Sequence, residues 1–149
     1  MSSSAIEEKQ NTHRHPVFWV ICFGAILWNA GGLANFLWQL NADAVASFPA
    51  PAQAIIENRP LWATAAFGFG MVTGTVGCML LLFRSPKAKN LLYFSLVSVL
   101  ITVIHSIMIA TGNDLFGMSE NFTMIIAPVF VAISLAWYAR SATVRGMAS

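Results

Sequence analysis

Charge is scarce in this chain. Only 9% of its 149 residues are Asp, Glu, Lys or Arg, against about a quarter in an ordinary soluble domain. A water-facing surface cannot be built from so few charges, so lipid is the expected solvent for most of it. The net charge is +2, and the charged residues sit mostly at the ends of apolar runs; they speak to orientation in a bilayer and not to nucleic acid. Cysteine is equally sparse. Cys22 and Cys78 each lie inside an apolar run, with no CxxC motif and no Cys/His cluster, which excludes a disulfide framework. They are expected to be buried thiols acting as small hydrophobes. No apolar run contains Asp or Glu. Small proton-driven multidrug transporters of four helices rely on an embedded carboxylate, and this chain has none. Nucleophile–base pairs, P-loops and zinc motifs are missing too, as is the alternating period of a barrel strand. No enzyme activity, metal or cofactor is expected.

What the sequence does have is four charge-free apolar stretches, Val17–Leu40, Leu61–Phe83, Leu91–Thr111 and Phe122–Ala139. A spanning helix needs about 20 residues. The first three stretches meet that easily; the fourth, 18 residues with Pro128 inside it, sits near the lower limit and is expected to kink. The expected fold is all-α: a single four-helix transmembrane bundle over residues 17–140, up and down with short connections. A polar, Ser-rich tail of residues 1–16, read as disordered, precedes it, and a short tail of residues 141–149 follows. The first stretch is too long, and too rich in amides, for the roughly 7–15-residue core of a signal peptide.

Lys and Arg placement orients the bundle. Lys9, Arg14, Arg84, Lys87, Lys89, Arg140 and Arg145 all fall on one side, and Arg59 alone on the other, together with Asp43, Glu57, Asp114 and Glu120. Cytoplasmic loops carry the excess of basic residues, so both termini are expected in the cytoplasm. Arg59, one cation among four acids, is expected to form a plain surface ion pair. The first outer loop, Asn41–Pro60, is long, and Ala52–Asn58 suits a short helix on the membrane surface with Phe48, Ile55 and Ile56 facing lipid. The second outer loop, Gly112–Asn121, is short.

Helices in lipid associate where small residues let backbones approach and polar groups can pair. The second stretch gathers Ala63, Ala66, Gly70, Thr73, Gly74 and Gly77 on one face. Ala66, Gly70, Gly74 and Gly77 form a seam, either inside one bundle, which must pack itself first, or between two copies. The first stretch carries Asn29, Asn35 and Gln39 on one half of its surface, and the third carries Ser95, Ser98, Thr102, His105 and Ser106 in one sector. Amides within a span are costly unless they face protein or water. Asn29, Asn35, Gln39, Thr102 and His105 are therefore the candidate site, suited to a small neutral polar ligand and equally to interhelical hydrogen bonds. His105 is expected to be hydrogen-bonded to a neighbour. It cannot share a haem or metal with His13 and His15, which lie across the bilayer.

Trp28-Asn29 with Gly32 and Gln39, the run Arg59-Pro60-Leu61-Trp62-Ala63-Thr64-Ala65-Ala66-Phe67, Gly74 with Gly77-Cys78, the basic turn after Phe83, and Trp137-Tyr138-Ala139-Arg140 together resemble a group of small bacterial four-helix membrane proteins of unknown function, often labelled "sugar transporter". The resemblance covers most of the chain from Val17 to Arg145 and implies a bacterial inner-membrane location; it implies no catalytic or binding residue. Two functions are expected to compete: binding or transport of a small polar compound, with a homodimer needed for transport, and an accessory role packed against a larger membrane complex. A membrane enzyme would require Glu57, Arg59, Asp114 and Glu120 to converge.

Overall fold

The computed structural model describes residues 16–112 and 118–144. The N-terminal tail, most of the second outer loop with Asp114, and the end of the C-terminal tail lie outside the described residues. The described elements are six helices: α1 (Pro16–Trp38), α2 (Ala42–Val45), α3 (Ala50–Glu57), α4 (Leu61–Leu82), α5 (Lys87–Gly112) and α6 (Met118–Val144).

Three segments are long and apolar enough to cross a membrane, Pro16–Trp38, Leu61–Leu82 and Lys87–Ile109, and α6 adds a shorter apolar stretch, Ile126–Ala142. Their outer faces carry Val20, Leu27, Phe83 and Phe130, each at least 70% exposed. A continuous apolar surface of this kind is not tolerated by water; the chain is a multi-spanning membrane protein. α5 begins four residues before its apolar stretch, and α6 starts earlier and ends later than its own. Hydropathy marks the part of a helix that lies in hydrocarbon, whereas backbone hydrogen bonding carries it on into the polar interface, here past Lys87, Lys89 and Arg140. α6 runs through Pro128.

The connections are built from specific local contacts. Asn41 caps α2, its Oδ1 accepting from the backbone N–H of Asp43 at 2.9 Å and of Ala44 at 3.3 Å. The Gln53 amide then stitches the turn between α2 and α3, donating to Phe48 O at 2.7 Å and Ala46 O at 3.0 Å. At the opposite end α4 stops abruptly. Arg84 takes a left-handed φ of 58°, and the N–H groups of Ser85 and Arg84 return to Leu80 O (2.8 Å) and Leu81 O (3.0 Å). This pairing closes a helix C-terminus with glycine's usual geometry, here with an arginine whose guanidinium lies 5.5 Å over the Phe18 ring.

α4 packs between α1 and α5, and α6 packs on the far side of α5. At the end bearing Arg84, Lys87 and Lys89, residues of all four long helices meet in one core that includes Phe18, Cys22, Cys78, Leu81, Leu92 and Ala139. Both cysteines are free and fully buried there. Neither is expected to react with a maleimide in mild detergent, while both react after unfolding in SDS; intact-mass measurement of the adducts checks this.

The small-residue face of α4 is used within the chain. A Cβ on Gly70 would stand 3.0 Å from the Ser98 Cβ of α5, and one on Gly77 3.0 Å from Leu92. Ser95 Oγ donates across the same seam to Gly70 O at 2.8 Å. Gly74 faces both neighbours, and a Cβ there would collide with Asn29 Oδ1 of α1 and reach within 2.8 Å of Ser95 Oγ. Ala66, at the other end of the stripe, is half-buried.

The short helix of the first loop exists but is turned over relative to the sequence reading. Ala52 and Ile55 are buried, α3 packs on α5, and Ile55 and Ile56 face a cavity in the protein. An apolar stripe has the same pattern whether it meets lipid or protein, and here the apolar wall of α5 takes it.

Candidate functional site

α1 and α6 lie on opposite flanks of the α4–α5 pair without extensive contact between them. The gap between them is a cavity of about 520 Å³, within the roughly 300–1,000 Å³ of small-molecule sites. α4 and α5 form its back wall, α1 and α6 its sides, and α3 covers one end through Ala52, Ile55 and Ile56. On α5 its lining runs from Leu92 to Ser106, about 21 Å at ~1.5 Å per residue, so it is elongated along the helix axes.

Four of the five residues expected in a site line this cavity: Asn29, Asn35, Gln39 and Thr102. Their polar groups are not equally available. Asn29 is buried against Gly74, its Nδ2 donating to Ala25 O at 2.9 Å and Cys78 Sγ at 3.4 Å. Thr102 Oγ1 donates to Ser98 O at 2.9 Å, and Ser106 Oγ to Thr102 O at 2.9 Å. These donors are satisfied by the bundle itself. Asn35 differs: its side chain makes no hydrogen bond among the described residues and is exposed in the cavity wall.

His105 does not line the cavity. Its ring stands edge-on to Trp62 of α4, with centroids 5.3 Å apart and planes at 85°, and its Nδ1 is buried without a hydrogen-bond partner. The expected hydrogen bond to a neighbouring hydroxyl is not made, because Thr102 and Ser106 point their protons back along α5. His105 sits about 60° round the helix from Thr102 at 100° per residue, enough to turn it from the cavity toward α4.

Arg59 completes the site in place of His105. It lies in the connection between α3 and α4, half-buried, and lines the cavity at the α3 end. The expected surface ion pair is not found among the described residues: no Asp or Glu of theirs lines the cavity, and Glu57, two residues away, is exposed. Arg59 Nη1 instead donates to Gln39 Oε1 at 3.0 Å, the guanidinium carbon sits 4.9 Å over the Phe67 ring, and Nε is buried with no partner. Phe67 is held in turn by Phe36, edge-on at 5.3 Å, whose ring lies close over Gly68. Burial pulls the Arg59 pKa below its ordinary value, since a guanidinium deprived of water and given no counter-charge resists ionisation.

Among the described residues there is no group of His, Cys, Asp or Glu able to hold a metal ion. Glu57 is exposed and does not line the cavity, and Asp114 and the Glu120 side chain lie outside the described residues. The arrangement is a cavity with an apolar body, self-satisfied polar groups along one side, and an open amide and a guanidinium at the α3 end. The chain matches no family model, no curated protein and no solved structure.

Proposed function

We propose that the chain is a four-span bacterial inner-membrane protein, with both termini in the cytoplasm, which binds a small compound with hydrogen-bonding groups in the cavity and admits it from the α3 end. The observation that carries this reading is Asn35. Asn35 is an exposed amide in the cavity wall with no hydrogen-bond partner among the described residues, whereas Asn29, about 1.7 turns away at ~3.6 residues per turn, is buried and spends its Nδ2 within the bundle. A site that binds through Asn35 and Gln39 gives that open amide a partner; packing between helices gives it none among the described residues.

The test is thermal stabilisation of the purified chain in detergent by a panel of sugars, polyols and their acidic and alkyl derivatives. At least one class is expected to raise the melting temperature. Asn35→Leu should abolish the shift, whereas His105→Leu should leave it in place, since His105 faces Trp62. A shift insensitive to Asn35, or no shift with any compound, removes the reading. The competing reading, an accessory subunit, is favoured by the hydroxyls of Thr102 and Ser106 being closed on their own helix; it requires a stoichiometric membrane partner that co-purifies in mild detergent.

A further inference from the structure

The cavity's polar groups divide by depth. Toward Leu92 and Leu135, the polar groups at its wall are occupied: Ser95 by Gly70 O, Asn29 by Ala25 O and Cys78 Sγ. At the α3 end, among the described residues, the exposed Asn35 amide makes no hydrogen bond and Arg59 Nε is buried without a partner. That end also carries the cavity's charge, a guanidinium whose protein contacts are an amide oxygen and an aromatic face, both neutral. The remaining volume is walled by Phe67, Met71, Val99, Val103, Val131 and Leu135. A charge removed from water is retained in proteins when something pairs with it. Here the described residues supply no anion, and guanidinium groups bind carboxylates and phosphates through a fork of donors.

We propose that the cavity takes an anionic amphiphile, with its carboxylate or phosphate on Arg59 and Asn35 and a single hydrocarbon chain extended along the α5 and α6 walls toward Leu135. This rests on the cavity being a binding site and specifies what it binds. The head group accepts from the guanidinium arm that Gln39 leaves open and from the Asn35 amide, while Gln39 holds Nη1 in place. The roughly 21 Å length of the α5 lining suits an extended chain better than a compact polar ring. The same chemistry has two sources, a membrane phospholipid and a water-borne alkyl acid.

The experiment uses the full chain. In detergent, dodecyl phosphate, dodecanol and inorganic phosphate are titrated separately by calorimetry. Dodecyl phosphate is expected to bind one to one, roughly ten- to hundredfold tighter than dodecanol, as for a charge-assisted hydrogen-bonded pair, and inorganic phosphate to bind negligibly. Arg59→Gln should remove the difference between dodecyl phosphate and dodecanol, Arg59→Lys should keep part of it, and Ala132→Phe, which fills the cavity away from the charge, should weaken both. In a second arm, native mass spectrometry of protein released from nanodiscs of mixed phosphatidylcholine and phosphatidylglycerol gives the source. Retained phosphatidylglycerol supports the proposal with a membrane lipid as ligand; dodecyl phosphate binding without it supports the proposal with a water-borne one. Equal affinity for dodecyl phosphate and dodecanol, or a preference that survives Arg59→Gln, overturns the proposal. If in that case neutral polar compounds still bind in an Asn35-dependent way, the cavity reading stands and only the anionic amphiphile fails. If Ala132→Phe affects no ligand at all, both fail.

Discussion

Gly74→Leu is expected to abolish the monodisperse folded protein, while Gly24→Leu leaves it intact. The difference lies in what surrounds the two glycines. A side chain on Gly24 meets nothing within 4 Å, whereas one on Gly74 collides with Asn29 Oδ1 and crowds Ser95 Oγ. Neither obstacle can yield cheaply. Asn29 is held by Ala25 O and Cys78 Sγ, and Ser95 by Gly70 O, so moving either one breaks a hydrogen bond in a medium that offers no replacement. Overpacking costs about 1–3 kcal/mol, and each buried polar group left unsatisfied adds about 1–3 kcal/mol. Together these approach the roughly 5–15 kcal/mol that holds a typical domain folded. Gel filtration in mild detergent and the SDS fraction at half-unfolding measure the outcome. Equal behaviour of the two variants would show that α1, α4 and α5 do not meet at this point.

The second large effect is all-or-none. With single cysteines introduced at the exposed positions Ser47, Lys87 and Arg140, and Cys22 and Cys78 replaced by serine, a membrane-impermeant maleimide applied to intact cells is expected to label Ser47→Cys alone. Lys87→Cys and Arg140→Cys should label only after the membrane is opened. α4 supplies the physical ground: 22 residues span about 33 Å at ~1.5 Å each, against about 30 Å of hydrocarbon, so its two ends belong to opposite faces. The basic residues at the Arg84–Lys89 end select which face is cytoplasmic. Labelling of Lys87→Cys but not Ser47→Cys from outside would invert the orientation. Labelling of both from one side would remove the crossing altogether.

How much of this was legible in the sequence depends on what kind of signal each feature leaves. The spans were legible because lipid tolerates no charge, and their true helical ends were not, because a helix continues beyond the hydrocarbon wherever its backbone stays paired, as α5 does back to Lys87. The glycine face of α4 was legible as a seam because only small residues permit such close approach; that Gly70, Gly74 and Gly77 meet α5 and α1 of the same chain required coordinates. The inward face of α3 was not legible, since Ile55 and Ile56 are equally content against lipid or against α5. His105 was placed with Thr102 because the two share a sector on a helical wheel, but the boundary between the surface meeting α4 and the surface lining the cavity passes between them. Arg59 was misread for a different reason. It is one cation among four acids of the outer loops, yet its partners, Gln39 and Phe67, lie 20 residues before and eight residues after it, a proximity fixed only when α1 and α4 pack.

The side-chain key at Gly74 has a consequence for motion. With Asn29 lodged in that notch and Ser95 tied to Gly70, α1, α4 and α5 are locked in register and can neither slide nor roll past one another without undoing both attachments. They form a fixed slab. α6 touches this slab chiefly through α5, and α3 rests on it through a few apolar side chains. For the proposed ligand, enlargement of the void would therefore come from α6 swinging aside or α3 lifting rather than from movement within the slab.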